Sequence, residues 1–124
     1  MIKSLESASV GHPITREGVS CFPVYIHQPS PLIATGPALG IRITERRDAA
    51  VPTLQVYNPT PSPALLVEGE TVNGGRQNRV LNVSVLIPAG ATIDIPVSCV
   101  EQGRWGGGTA FGRSQVSAPL RVRR

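Results

Sequence analysis

The chain has 124 residues, enough for one domain with a single hydrophobic core. Aromatic residues make up only 4% of it, so Val, Ile, Leu and Ala must supply most of that core. The formal charge of +4 rests on eleven arginines and one lysine, Lys3, which argues against Schiff-base chemistry and against a lysine-based phosphate loop.

The 13 glycines and 12 prolines lie between apolar runs, which favours a turn-rich β domain over disorder. Residues 19–26 are the first strand candidate, and Pro23 within them indicates an edge position or a bulge. Residues 39–45 alternate apolar and polar side chains, and residues 51–57 form the next predicted strand. A proline-rich connection over residues 58–63 then separates these strands from the following apolar run.

The clearest strand pattern covers residues 81–87 and 93–99, where apolar side chains occupy every second position. Residues 88–90, Pro-Ala-Gly, have the composition of a turn, so we predict a hairpin between the two strands. A flexible glycine-rich loop is predicted over residues 103–112, and a last short strand over residues 116–122.

The sequence shows no helical periodicity over three turns. We therefore predict an all-β fold, a single-domain β-sandwich or small barrel with Gly/Pro-rich loops that spans residues 1–124. No secretory signal is visible, and no apolar run approaches the roughly 18 residues of a transmembrane helix. The protein is therefore expected to be cytoplasmic, without a membrane partner, and Cys21 and Cys99 are expected to be reduced.

Two polar clusters, residues 68–79 and 99–105, bracket the predicted hairpin and hold the candidate chemistry. In the first cluster, Glu68 and Glu70 share a face if the chain is extended. Two close carboxylates raise the pKa of one of them when buried, which is one route to a general acid or base. A solvated turn around Gly69 is the alternative interpretation.

The run 76–79 is dense in hydrogen-bond donors. On a strand, Arg76 and Asn78 would face one way and Gln77 and Arg79 the other, so both arginines reach one ligand only across a twist or bulge. Two interpretations stay open at this point: binding of an anion or polar ligand, and structural pairing of either arginine with a glutamate.

The second cluster stands at the end of a predicted strand. Cys99 continues the apolar face and is interpreted as a buried small residue, since no histidine lies near it in the sequence. Glu101, Arg104 and Trp105 follow where the strand meets the glycine-rich loop, a favourable place for ligand contacts, and Trp105 has the alternative role of covering the core. The spacing fits neither a metal site nor a phosphate loop, so no metal and no cofactor is expected. Nucleic acid is not expected as a partner either, because aromatic residues are few and no known motif is present.

Four motifs in this order, residues 66–70, 75–79, 87–90 and 95–105, resemble the ARG and rhodanese-phosphatase-superfamily-associated protein domain, a bacterial and archaeal family. The resemblance covers residues 40–105 and implies an all-β domain associated with ADP-ribosylglycohydrolases and phosphatase-like proteins. Members of the family extend beyond the position of Arg124, so the chain is expected to be a short or truncated version of a longer domain. The family's polar positions map onto Glu68, Glu70, Gln77, Asn78, Arg79, Cys99, Glu101, Arg104 and Trp105.

Three functional hypotheses follow. We favour a binding module for a polar or anionic ligand, related to ADP-ribose or a nucleotide, or for a partner protein, because donors and acceptors converge without a recognisable nucleophile and base. The second hypothesis is a hydrolase of ADP-ribose-like or phosphorylated compounds with Glu68, Glu70 or Glu101 as acid or base. The third is a structural domain that assembles with itself into an oligomer. The predicted ligand-binding residues of the favoured binding module are Glu68, Glu70, Gln77, Asn78, Arg79, Glu101, Arg104 and Trp105.

Overall fold

The computed structural model of the protein describes residues 5–27, 32–36 and 40–122. These residues form strands, turns and short 3-10 segments, of which Leu120–Val122 is the last, and they include no α-helix. The predicted all-β class is confirmed. None of the helical segments described has the length and apolar character needed to cross a membrane.

The chain divides into two units, Met1–Pro31 and Leu32–Arg124. In the first unit, β1 (Ala8–Val10) pairs with β4 (Val24–Ile26), and β2 (Ile14–Arg16) pairs with β3 (Val19–Cys21). The strand predicted over residues 19–26 is therefore two strands, because Phe22 and Pro23 interrupt it. Every described residue of this unit is exposed or half-buried, so residues 5–27 enclose no core of their own. A single domain over residues 1–124 stays a prediction.

The second unit contains the barrel. In chain order its strands are β5 (Arg42–Thr44), β6 (Thr53–Tyr57), β7 (Ala64–Leu66), β8 (Glu70–Gly74), β9 (Arg79–Leu81), β10 (Val85–Ile87), β11 (Thr92–Cys99) and β12 (Ala110–Ser117). Strands β11 and β12, of eight residues each, are the longest. The six strands that close the barrel follow the order β11-β6-β5-β12-β8-β9 with antiparallel neighbours throughout. Two further strands, β7 and β10, pair with each other outside the barrel.

The eight-residue strand β11 closes the barrel, since residues 92–96 pair with β6 and residues 97–99 pair with β9. Alternation along each strand turns one face inward, as in β6, where Leu54 and Val56 are fully buried and Gln55 is exposed. The core is almost entirely aliphatic, as the composition predicted. Its buried members are Ile43, Leu54, Val56, Leu66, Val72, Leu81, Ile87, Ile95, Val97 and Phe111.

The hairpin predicted between residues 81–87 and 93–99 is correct at its far end and wrong near the turn. Leu81 pairs with Val97 in antiparallel register, and the Asn82 amide donates to the Pro96 carbonyl at 3.3 Å, as the hairpin requires. A turn does form, with the Ala91 amide donating to the Pro88 carbonyl at 3.2 Å, but β10 pairs with β7, and β11 pairs with β6 and β9. Near the turn, buried Asn58 contacts this segment. Its side-chain amide donates to the Ile87 and Pro88 carbonyls at 3.1 Å each, and residues 85–87 pair with β7.

The antiparallel order brings strand termini together at each end of the barrel. At one end, β5, β8 and β11 finish while β6, β9 and β12 begin. Three connections, residues 45–52, 75–78 and 100–109, lie there, and we call this the loop end. The loop predicted over residues 103–112 stops earlier than expected, because Ala110 already pairs with Thr44 in β5. The strand predicted over residues 116–122 is the end of β12 followed by a 3-10 turn.

Candidate functional site

The loop end joins the two polar clusters of the sequence. The Asn78 amide donates to Oε2 of Glu101 at 3.2 Å, and the Val100 amide donates back to the Asn78 carbonyl at the same distance. The Gln77 side chain adds a third link, since its Nε2 donates to the Glu101 carbonyl at 3.2 Å. Connection 75–78 is therefore bound to connection 100–109 by backbone and side-chain hydrogen bonds.

Arg104 holds this junction together. Its guanidinium pairs with Oε2 of Glu101 at 2.7 Å and donates to the Gly75 carbonyl at 3.1 Å and to Oδ1 of Asn78 at 3.3 Å. It also donates to the Gly106 carbonyl at 2.9 Å and to the Gly74 carbonyl at 3.3 Å. With so many acceptors already in place, Arg104 positions the loops rather than offering a free cation to a ligand.

The same contacts keep Glu101 ionised. The hydrogen bond from Arg104, and after it the Asn78 amide, lowers the pKa of the Glu101 carboxyl from its usual 4.5. The Glu101 carboxylate in turn raises the pKa of the Arg104 guanidinium. At neutral pH Glu101 is therefore an ionised carboxylate that accepts hydrogen bonds from the Arg104 guanidinium and the Asn78 amide. In this state it carries no proton to donate as a general acid.

Trp105 lies near two arginines, Arg76 of connection 75–78 and Arg79 at the start of β9. The guanidinium carbon of Arg76 is 5.4 Å from the centre of the indole ring, and that of Arg79 is 5.6 Å from it, both within cation–π range. The tryptophan keeps 45% of its surface exposed. Half-buried Arg76 takes part in no ion pair within the described residues, so its guanidinium retains donors for an incoming anion.

Glycine at position 75 allows the loops to approach this closely. Gly75 has φ of +50°, and a Cβ built there would lie 2.0 Å from the ring of buried Phe111. Its carbonyl accepts from Arg104, and the Gly106 amide donates to the Arg76 carbonyl at 3.2 Å. The Arg76 amide donates to Oε1 of Glu45 at 3.0 Å. The backbone that carries Arg76 is thus bonded on both sides.

Beneath Trp105 the barrel contains a charged pair. The side chains of Arg79 and Glu45 are 0% and 1% exposed, and Nη2 of the arginine is 3.8 Å from Oε1 of the glutamate. Arg79 Nε donates to the Val51 carbonyl at 3.1 Å. Within the described part of the chain, Nη2 of Arg79, Oε2 of Glu45 and Oε1 of Gln77 have no hydrogen-bond partner although all three are buried. We call Glu45, Gln77 and Arg79 the polar floor.

Glu68 and Glu70, by contrast, lie at the opposite end of β8. Glu70 begins that strand, and its carboxylate pairs with Arg113 of β12 and accepts from the Val67 amide at 2.9 Å. The Glu68 amide donates to Oγ of Ser84 at 3.0 Å, and Gly69 forms the turn with φ of +87°. Six of the eight predicted residues therefore meet at the loop end, namely Gln77, Asn78, Arg79, Glu101, Arg104 and Trp105.

Sequence reasoning missed Glu45 and Arg113. Glu45 stands two residues after Ile43, which itself lies two after Ile41, so a carboxylate continues an inward-facing series. That position was the available signal for a buried charge. Arg113 shares a face with Phe111 in the same way, but it lies between the predicted loop, residues 103–112, and the predicted last strand, residues 116–122.

Two open concavities of about 300 Å³ each lie beside the barrel strands. One is lined by Glu70, Arg113 and residues 114–117, and the other by Arg46, Arg47, Asp48, Gln55 and Asp94. In the second, Arg46 is paired with both aspartates, at 2.9 Å and 2.7 Å. Among the residues described, no three His, Cys, Asp or Glu side chains are grouped so as to hold a metal ion.

A family model matches residues 7–124, and its description is ARG and Rhodanese-Phosphatase-superfamily-associated Protein domain. The chain belongs to this family. The resemblance found in the motifs is thereby confirmed, and it extends over nearly the whole chain rather than residues 40–105 alone. No curated protein and no solved structure matches the chain. The family description refers to associated protein superfamilies and states no reaction or ligand for the domain itself.

Proposed function

We propose that this family member is a binding module whose loop end recognises a polar, anionic ligand of nucleotide or ADP-ribose type. The observation that carries the proposal is the Arg76 guanidinium, held 5.4 Å from the half-exposed indole of Trp105 without a carboxylate partner among the described residues. The remaining loop-end residues predicted from the sequence position this pair.

The chemistry of the two side chains supports this ligand class. A guanidinium binds phosphate or carboxylate with two parallel hydrogen bonds, and it is more weakly hydrated than a lysine ammonium. An exposed tryptophan face stacks on a nucleobase, a contact worth about 1–3 kcal/mol per base. A ligand with both an anionic group and a planar ring would therefore use Arg76 and Trp105 together.

Binding is favoured over hydrolysis by the state of the carboxylates. Glu101 is bonded by Arg104 and Asn78, and Glu70 by Arg113 and the Val67 amide, so both are occupied by donors. A hydrolase that uses Glu68, Glu70 or Glu101 remains the alternative proposal. We also propose a cytoplasmic location, as the sequence favoured. Recognition of a partner protein and assembly into a homo-oligomer stay predictions.

The proposal can be tested through intrinsic fluorescence, because Trp105 is the only tryptophan of the chain. We expect ADP-ribose, NAD or AMP to change the emission of Trp105 in a saturable way. Substitution of Arg76→Gln should weaken that response by roughly tenfold or more, since it removes a charge-assisted bidentate contact.

Arg42→Gln is the matched control. Arg42 lies 5.9 Å from the ring centre of Tyr57, on strands β5 and β6 at the opposite end of the barrel, so it is also an arginine beside an aromatic ring. This variant should bind like the unmodified protein. Equal binding by the Arg76→Gln and unmodified proteins, or no response to any of these ligands, would refute the proposal. Turnover of ADP-ribose that is lost in Glu101→Gln would instead establish the hydrolase.

A further inference from the structure

We infer that the polar floor beneath Trp105 is a specificity site for a pair of hydroxyl groups, so that the preferred ligand is a sugar phosphate with a vicinal diol. This inference rests on the proposed function, since Arg76 would bind the phosphate. The polar floor is a second recognition element that is more buried than Arg76, and it offers both hydrogen-bond acceptors and a donor.

The evidence is the hydrogen-bonding state of the floor. Glu45 and Arg79 have side chains 1% and 0% exposed, yet Oε2 of the one and Nη2 of the other have no partner within the described residues. Their closest approach, 3.8 Å from Oε1 to Nη2, is too long for a hydrogen bond. Folded proteins satisfy nearly all such buried groups, and each exception calls for an explanation such as a functional role.

The chemistry of these atoms defines what can satisfy them. Oε2 of Glu45 and Oε1 of Gln77 accept hydrogen bonds, whereas Nη2 of Arg79 donates one. A phosphate group offers acceptors only, so it would meet Arg79 well and be repelled by Glu45. A hydroxyl both donates and accepts, and a vicinal pair of hydroxyls can donate to the carboxylate and accept from the guanidinium together.

The position of the floor fits the rest of the proposed ligand. Arg76 and Arg79 both lie within cation–π distance of the same indole, at 5.4 Å and 5.6 Å, so the anion site and the floor are both next to Trp105. Because Arg79 is fully buried, the sugar can reach it only if Trp105 moves. Trp105 precedes Gly106, Gly107 and Gly108, and its movement would require the hydrogen bonds of Gly106 with Arg76 and Arg104 to rearrange.

Isothermal titration calorimetry with four probes tests the inference: ribose 5-phosphate, 2-deoxyribose 5-phosphate, ribose and inorganic phosphate. We expect ribose 5-phosphate to bind at least about tenfold more tightly than its deoxy analogue, because the missing hydroxyl leaves buried charged groups unpaired. Glu45→Gln should remove this preference while phosphate binding persists. The matched control, Asp94→Asn, removes an exposed carboxylate that pairs with Arg46 at 2.7 Å, and it should keep the preference.

The outcomes separate the two proposals. If the phosphate-bearing probes bind equally with and without the diol, the floor holds internal water only and the inference is overturned, whereas the proposed anion site stands. If ribose binds but phosphate adds nothing, the floor is supported and the anion site fails. Absence of binding by every probe overturns both. Where Glu45→Gln fails to fold, Gln77→Leu serves as the second variant, and it should likewise reduce the preference.

Discussion

The barrel carries an arginine–glutamate pair toward each end, and the two pairs differ in how fully they are bonded. Away from the loop end, Arg113 donates to Glu70 through Nε and Nη2 and to the Gly36 carbonyl through Nη1. Glu70 uses its other oxygen to accept from the Val67 amide at 2.9 Å. At the loop end, Arg79 and Glu45 are more deeply buried but stand 3.8 Å apart, and each retains a polar atom without a partner among the described residues.

The difference separates a structural role from a functional one. A pair with all its donors and acceptors bonded offers a ligand nothing, so Glu70 and Arg113 are best explained as a connection between β8 and β12. A pair left partly unsatisfied costs stability, and it persists where another interaction compensates for it. The charged residues of the loop end are therefore the ones to which we assign recognition.

Removing Arg79 should have the largest effect on stability. Arg79→Ala leaves the Glu45 carboxylate buried without its counter-charge, so we expect the free energy of unfolding to fall by about 3–5 kcal/mol. Urea denaturation followed by circular dichroism measures this. The double variant Glu45→Leu with Arg79→Met should recover most of the loss, because it replaces the pair by apolar groups. If Arg79→Ala is as stable as the unmodified protein, the Arg79–Glu45 ion pair does not contribute to stability.

Gly75→Ala tests the packing of the loop end with a somewhat smaller expected effect. We expect it to lower the free energy of unfolding by about 2–4 kcal/mol, for two reasons. The added methyl overlaps the Phe111 ring, and the alanine backbone is held in the left-handed conformation of Gly75. Gly90→Ala is the control, because Gly90 has φ of +69° but no atom within 4 Å of the added Cβ. That variant should cost only about 1 kcal/mol. Equal losses at the two positions would contradict the overlap with Phe111.

Arg113→Gln should cost about 1.5–3 kcal/mol, the range for hydrogen bonds to charged groups. The loss is smaller than for Arg79→Ala because the Glu70 side chain is 21% exposed, so water can reach the carboxylate that remains. Ligand binding at the loop end should be unchanged, which calorimetry with ribose 5-phosphate checks. A large loss of affinity in this variant would mean that the site extends along β8.

The smallest effect is a pH dependence from Glu101. Because its pKa is lower in the folded protein than the usual 4.5, the ionised carboxylate stabilises the fold above that value, and the stabilisation is lost as the pH falls through the folded pKa. The difference in unfolding free energy between the unmodified protein and Glu101→Gln should be constant near neutral pH and shrink below about pH 4.5. A difference that stays constant to about pH 3 would show that Arg104 does not lower the pKa.

Local patterns predicted several elements well. The alternation in residues 39–45 and 51–57 corresponds to β5 and β6, and that in residues 93–99 corresponds to β11. The same patterns predicted pairing only in part. Residues 81–87 and 93–99 looked like the arms of one hairpin, but only Leu81 pairs with β11, whereas residues 85–87 pair with β7. Asn58, more than twenty residues earlier in the chain, occupies the carbonyls at that turn, and no local pattern contains such a contact.

The placement of the candidate residues shows the same limit. Glu70 and Arg79 belong to one polar cluster in the sequence, yet β8 and the turn into β9 carry them to different ends of the barrel. Glu45 was predicted only as the end of a strand. In the structure it is the glutamate that pairs with Arg79, with 3.8 Å between Oε1 and Nη2. Side-chain type identified candidates for charge pairing, and strand direction decided which of them meet.

The amino-acid sequence by itself determined the all-β class, the aliphatic core and the family, because these depend on composition, on alternation every second residue and on ordered motifs. Only the tertiary structure decided that β12, the last strand, pairs between β5 and β8 and that β11 closes the ring. The physical reason is that alternation records which face of a strand is buried, whereas partners are chosen by hydrogen bonds and packing between residues far apart in the chain. That choice brings Glu45, Arg79 and Trp105 together.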